Sequence, residues 1–427
     1  MSTNTQSRVL VLGDDMRVFL GVVRSLGRAG HEVHVAPGNW RAPALSSRYI
    51  SNVHHLPRYP DDPNAWTSSL LALLCAHAID LVIPCCDSFV LPLHAHRAEF
   101  AAFRIAIPNE RVMTDLYDKD RTRRLAGGLG IPVAPGAVLR SEDAAEDLVT
   151  RFGLPLVIKP RQSFWIDRLE TWGKVHIIES RQDLSQQLDA LVDHSRYLVE
   201  GFFSGGVGVG VSVLAKEGRI LQCFQHRRLR EGRGTSSSYR ISEPVREELL
   251  KACERLCGAT ELTGVCMFEF RCDPQDGSWI LLETNARLWG SLPLPLSLGV
   301  NFPLYLHDLL VWGTQHERVR YSYGIRSRNL VLDAHNLLSS ARELCSAGPR
   351  FLADAGDFLL QPLRWITGLE RSDSFVIDDP RPGLAELTSV VGKIRQVWTA
   401  QPRAVAGPEG EDRAGSARLP DKLPRAA

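Results

Sequence analysis

None of the nine cysteines forms a pair with the two-residue spacing of a zinc or redox motif. Cys85 and Cys86 are adjacent and the others are scattered through apolar stretches, so reduced core thiols are expected, with no structural zinc site among them. No run of about 18 uncharged apolar residues occurs, which argues against a transmembrane helix. The first residues, MSTNTQSR, lack the apolar core and small-residue cleavage site of a secretory leader, and the expectation is a cytoplasmic protein. An excess of one charge is also missing. With 50 basic against 49 acidic residues, the formal net charge is +1, and there is no bulk attraction to nucleic acid or to a membrane surface. Neither GxSxG nor HExxH is present, which removes two common routes to hydrolysis. No internal repeat is visible.

What is present is enough apolar residue, 44% of 427, for two or three domains with cores of their own. RVLVL at 8–12 reads as a buried strand, followed by a helix over 16–29 with Val18, Val22, Val23 and Leu26 on one face. HEVHVA at 31–36 is a second strand, and helix 66–78 with strand DLVIP at 80–84 repeats the unit. Residues 1–114 therefore read as an open α/β domain. From Asp115 the texture changes to α+β: a helix beginning near Lys119, strand LPLVIKP at 154–160, strand RYLVEGFF at 196–203, and a hairpin of VGVGVSVLA with EGRILQCFQ. A helix over 244–257 follows, then strands GVCMFEFRCD and SWILLETNAR joined by the turn Pro274-Gln275-Asp276-Gly277. This divides the middle into 115–198 and 199–315. Residues 316–402 read as mostly helical, near 335–346 and 350–366, and 403–427 as a disordered tail of Ala, Gly, Pro and charge.

Chemistry concentrates on the last two strands. Glu283 and Asn285 are two apart and share a strand face, and Glu269 lies across the hairpin. Two carboxylates and an amide oxygen suit hard, oxygen-seeking ions such as Mg²⁺. The flanking residues are apolar, Phe268 and Phe270 around Glu269 and WILL before Glu283, and acidic groups in such strands need a partner. Arg287 falls on the same face and is a candidate to hold an acidic substrate or phosphoryl oxygens. Lys119 opens a helix and Lys159 ends a strand; each is a candidate phosphate ligand. GGVGVG at 205–210 has no helix after it, so it reads as a glycine-rich strand and not a dinucleotide loop. Gly13-Asp14-Asp15 is only a faint dinucleotide signal. His226, Arg227, Arg228 and Arg230, with Gly232 to Ser238 after them, read as a basic strand end and loop able to close over an anion. Asp87, after VIPCC, is a further candidate substrate contact.

The order DK before a helix, strand-KP, strand-E with a glycine-rich hairpin, F-E-F and L-E-T-N-A-R resembles the ATP-grasp superfamily, over roughly 8–315. HRRLRE and NARLWGSLPL are similar to its bacterial carbamoyl-phosphate-synthase-like, carboxylate-amine ligase branch. The resemblance implies an ATP-grasp fold behind an N-terminal α/β domain that frames the substrate cleft. It implies ATP and Mg²⁺, with two ions, as cofactors. Lys119 and Lys159 would contact phosphates, Val199, Glu200 and Phe202 would form the adenine hinge, Glu269, Glu283 and Asn285 would hold metal, and Arg287 would face the acyl phosphate. Lys174 is a weaker phosphate candidate, and Arg228 and Arg230 belong to the basic wall. The expected partners are small carboxylate and amine substrates, and a homodimer is a family-based guess. Two departures stand out: RQSFWIDRLETWGK carries one glycine where many members have a glycine-rich lid, and Val207 stands where many have a ribose-binding acid. An ATP-grasp kinase and a nucleotide-binding regulator without turnover are the alternatives.

Overall fold

The computed structural model describes residues 6–164, 166, 169, 175–231, 237–334 and 356–388. The chain divides into two units, Met1–Leu387 and Thr388–Ala427, and all the described strands lie in the first. The expected tail at 403–427, the helix near 335–346 and the residue Lys174 lie outside the described residues.

The opening segment is β1 (Arg8–Leu12), α1 (Val18–Arg28), β2 (Glu32–Ala36), β3 (Asn52–Val53), α2 (Pro63–Ala76), β4 (Leu81–Pro84) and α3 (Asp87–Ala95). Its strands are parallel, in the order β3-β2-β1-β4. The chain order reverses between β1 and β4, so the loops after these two strands share one crevice. Asp15 in the first loop caps α1, accepting from the backbone N–H of Arg17 at 2.8 Å, Val18 at 2.7 Å and Phe19 at 3.1 Å. That use of Gly13-Asp14-Asp15 is structural. The apolar face of α1, Val18, Val22, Val23 and Leu26, packs in one core with Trp289, Leu292 and Phe302 from much later in the chain.

Next come α4 (Glu110–Leu116), α5 (Lys119–Gly128), β5 (Gly136–Val138), α6 (Ala145–Phe152), β6 (Leu156–Pro160), β7 (His176–Ile178), α7 (Arg181–Asp189) and β8 (Tyr197–Gly201). They build an antiparallel sheet of order β5-β8-β6-β7. The largest sheet follows: β9 (Val207–Lys216), β10 (Arg219–Glu231), β11 (Ser237–Glu243), α8 (Glu247–Thr260), β12 (Gly264–Cys272) and β13 (Trp279–Asn285). Its β9–β10 turn has both Glu217 (φ 49°) and Gly218 (φ 81°) in the left-handed region, as a two-residue hairpin of this twist requires. After α9 (Pro293–Ser297) and α10 (Phe302–His307), the later chain adds β14 (Arg326–Arg328), α11 (Gln361–Ile366) and β15 (Glu370–Ser372). The sheet order is β13-β12-β9-β10-β11-β14-β15.

Strand β9 explains its own composition. Val209, Val211, Val213 and Ala215 face a core with Leu249, Cys253, Leu256 and Cys257 of α8 and with Phe268 and Phe270 of β12. Gly208, Gly210 and Ser212 alternate with them and face the other way. The eight cysteines among the described residues are free, and most are buried, as the sequence suggests. Among the described residues no helix is long and apolar enough to cross a membrane.

The added strands are held by charge. Arg328, with no side-chain exposure, meets Asp333 at 2.5 Å, Glu370 at 2.7 Å and Asp357 at 2.9 Å. Its guanidinium lies 3.8 Å from the centre of the Tyr239 ring. Arg230 joins the same group through Asp333 at 2.5 Å, and Arg240 is paired with Asp373.

Candidate active site

Strands β12 and β13 set Glu269 directly opposite Glu283, and Met267 opposite Asn285. Like charges in that cross-strand position repel, so the pair calls for cations. One residue, Leu282, has no partner in the ladder, because pairing passes from Glu269–Glu283 to Phe270–Leu281. This bulge lets Leu281 face the core while Glu283, two residues on, faces the opposite side. Asn285 donates through Nδ2 to Glu269 Oε1 at 3.2 Å, which leaves its amide oxygen on the open side.

The cations come from three elements. Lys119 is the first residue of α5, whose N-terminus Asp118 caps by accepting from Asp120 N at 2.9 Å. Asp118 also binds Arg161 at 2.7 Å, and the Lys119 N–H donates to the Arg161 carbonyl at 2.9 Å, so the helix start is tied to the end of β6. Lys119 Nζ then reaches Ser163 Oγ at 2.8 Å and Glu283 Oε2 at 3.5 Å. Lys159, buried at the end of β6, pairs with Glu200 Oε2 at 2.6 Å and donates to the Leu282 carbonyl at 3.3 Å, the carbonyl of the bulge. Arg228 of β10 pairs with Glu269. To do so it must span β9, about 9–10 Å of sheet at the usual strand spacing, and the residues beneath are Gly208 and Gly210. Burial works to raise the Glu283 pKa, but Lys119, then Lys159 and Arg228, outweigh it and hold the carboxyl below its ordinary value.

Gly210 is required at its place. It pairs with His226 on one side and Glu269 on the other, and a Cβ there would stand 2.3 Å from His226 Cε1. Gly210→Ala is therefore expected to push His226 out of its buried seat, at a cost of about 1–3 kcal/mol. A lowered urea midpoint, together with weaker nucleotide binding as the Arg228 crossing is disturbed, would register it; unchanged values for both would refute this role of the glycine.

Arg287 lies elsewhere than an open anion site. Its Nε and Nη2 bind both oxygens of Asp87, at 2.8 and 2.7 Å, and Nη1 donates to the Leu288 carbonyl at 2.9 Å. Burial opposes its charge, yet Asp87 more than compensates and raises its pKa. Asp87 opens α3, so this fork joins the crevice of the parallel sheet to the end of β13. Beside it is a cavity of about 190 Å³ lined by Asp87, His94, Tyr117, Lys119, Ser163 and Asn285, among others. The buried Tyr117 hydroxyl has no hydrogen-bond partner among the described residues, and burial followed by the nearby Asp87 pushes its pKa well up, so it remains a donor.

The structure thus brings together Lys119, Lys159, Glu200, Arg228, Glu269, Glu283 and Asn285. Arg230 faces away, into the Asp333 group. Val199 is fully buried within β8, paired with β5 on one side and β6 on the other, and its side chain joins the small sheet's core. Phe202, after that strand, is 40% exposed. The roles of Asp118, Ser163 and Tyr117 have no local sequence signal beyond the adjacency of Asp118 to Lys119.

The donor set fits magnesium: two carboxylates and an amide oxygen converge beside two lysines and an arginine, hard oxygen ligands next to a cationic wall. Residues 203–331 match the family described as ATP-grasp in the biosynthetic pathway with Ter operon. A D-aspartate ligase of Enterococcus faecium is 23% identical over 299 residues, 65% of this chain and 70% of that protein. A formate-dependent phosphoribosylglycinamide formyltransferase of Burkholderia thailandensis is 29% identical over 203 residues; the chain spans 46% of its length, and 46% of the chain is covered. Among solved structures, N5-carboxyaminoimidazole synthetase from Staphylococcus aureus complexed with ADP superposes with a TM-score of 0.59 at 15% identity, over 80% of this chain and 87% of that one. With lysines from two elements facing paired carboxylates on adjacent strands, the chain has the ATP-grasp fold, and its residues 203–331 are similar to an ATP-grasp family.

Proposed function

We propose that the protein is a carboxylate-amine ligase that uses Mg-ATP to activate a small acid as an acyl phosphate. The observation that carries this reading is the Glu269–Glu283 pair, opposed across one ladder rung and answered by Lys119, Lys159 and Arg228. Lys119, Lys159 and Arg228 would take the phosphates, and the backbone after Glu200 the base. Glu269, Glu283 and the Asn285 amide oxygen would hold the magnesium ions, two on this reading, whose chemistry is neutralisation of charge on the transferring phosphoryl group.

The substrate acid fits the cavity beside Asn285, where the Tyr117 hydroxyl can donate to one carboxylate oxygen and Lys119 stands at the phosphoryl end. A carboxylate oxygen bonds the γ-phosphorus as the bond to the β-bridging oxygen breaks, releasing ADP. The amine nitrogen then bonds the acyl carbon, phosphate leaves with its bonding pair, and the amine proton passes to solvent. Asp87, held by the Arg287 fork, is placed to meet the ammonium or amine of the acceptor, and Arg287 acts as a positioning residue. Catalysis here is orientation plus charge stabilisation. The test is ADP release with Mg-ATP across a panel of small acids with and without amines. Ligation needs both partners. A stable phosphate ester formed without an amine would replace this reading with a kinase, and nucleotide binding with no ADP from any pair would replace it with a regulator.

A further inference from the structure

Away from the carboxylate–lysine site, three imidazoles converge on the first sheet. His34 is in β2, His54 just follows β3, and His77 ends α2. One ring nitrogen of each lies within 4.8 Å of the other two. His34 Nδ1 and His54 Nε2 are 2.8 Å apart, and the His54 and His77 ring centres are 4.5 Å apart. We propose that His34, His54 and His77 form a binding site for a divalent transition ion of the zinc class, with Glu32 as the carboxylate behind it.

The tautomers follow from the network. Glu32 Oε1 lies 3.0 Å from His34 Nε2, and an ionised carboxylate only accepts, so that nitrogen carries the proton. The lone pair of His34 is therefore on Nδ1, aimed at the other two rings. A carboxylate behind a ligating imidazole is the usual orienting partner at metal sites. His54 then donates from Nε2 in the free protein; moving its proton to Nδ1 frees a second lone pair without change of net charge. The His77 ring makes no hydrogen bond among the described residues, although it packs against both others.

A Zn–N bond of about 2.0–2.1 Å sets tetrahedral ligand atoms about 3.3 Å apart, so the His34–His54 pair, now at 2.8 Å, opens slightly while the His77 nitrogen, within 4.8 Å of both, adjusts by side-chain rotation. Three imidazoles leave a fourth position for water. Nitrogen donors also separate this site by chemistry from the oxygen-lined one, where magnesium belongs. An ion here would tie β2, the turn after β3 and the end of α2 to one another.

The experiment uses the full chain, stripped with chelator and held in excess Mg²⁺ so that the carboxylate site is filled. Zn²⁺ is titrated calorimetrically, and Co²⁺ is added in parallel to read its visible absorption. The expected result is one equivalent bound with a dissociation constant on the order of micromolar or tighter, tetrahedral Co²⁺ bands, and a higher Tm with Zn²⁺. His54→Ala and His77→Ala should each weaken binding at least about 100-fold, and Glu32→Gln about 10- to 100-fold. The Tm of each variant without zinc, close to wild type, would show that the fold survives. Absence of saturable binding would overturn the proposal. So would full affinity in His77→Ala, which would send the ion elsewhere, for instance to the buried His31, His307 and Asp308.

Discussion

Glu283→Gln should release ADP about 10³-fold more slowly than the parent, with the melting temperature within a degree or two. The size follows from removing one full charge from a preorganised phosphoryl-transfer site, where even a neutral donor is worth about 10²–10³. The amide keeps the shape of the side chain, and the ladder around it remains: Leu281 and Thr284 still pair with Phe270 and Phe268. What is lost is the carboxylate that meets Lys119 at 3.5 Å and faces Glu269 across the rung. On the proposed assignment the variant should therefore fold, bind nucleotide and fail in turnover. The readout is coupled ADP release with the acid and amine identified by the panel, beside calorimetric binding of ATP with and without Mg²⁺. Release at the parental rate would sink the assignment of Glu283 to the reaction.

Arg328→Met has the largest expected effect on stability, about 3–5 kcal/mol. The guanidinium is fully buried and serves Asp333, Glu370 and Asp357 together, while Arg240 and Arg230 hold neighbouring acids. Methionine fills the volume but removes the cation shared by three acids, leaving Asp333 to Arg230, Asp357 to Arg364, and Glu370 with Arg364 only at 3.8 Å, and that under-compensated buried charge, more than the worth of the pairs themselves, sets the cost. Urea unfolding monitored by tryptophan fluorescence measures it. Adding Glu370→Gln to Arg328→Met should recover part of the loss, since the two residues share one network and their effects are not additive. A midpoint within error of the parent would mean that β14 and β15 are held by something other than this cluster.

How much of the molecule is legible in the chain depends on how local the cause is. The strands that are short continuous apolar runs, such as RVLVL, LVIKP and GVCMFEFRC, lie where those runs put them, because burial of such a run is decided by the residues themselves. Glu269, Glu283 and Asn285 are legible for the same reason: acidic residues inside apolar strands must have a partner. Strand β11, SSYRISE, carries no such signal. Its interior is Arg and Ser, and the groups that make it buriable, Asp333, Glu370 and Asp373, are about 90–130 residues away and have no local signature. Arg287 looks open to an acid in the sequence because its partner, Asp87, is 200 residues earlier. Arg228 and Arg230 look equivalent in HRRLRE, yet the β-bulges of β10 at this point and the partners on either edge send one to Glu269 and the other to Asp333. Short-range pattern gives the faces, and long-range charge decides which residue on a face meets which partner.

Leu282 shows a kind of constraint that residue identity does not express. Along SWILLETN the positions 279, 281, 283 and 285 share parity, and a regular strand would put all four side chains on one side. One unpaired residue changes the phase between 281 and 283. What Leu282 contributes is a carbonyl for Lys159 and a place in the count, neither of which depends on its side chain. The carboxylate pair is thus indifferent to what stands at 282 and intolerant of nothing standing there, so loss of a single codon would turn the carboxylate into the core where substitution of the same codon would pass almost unseen.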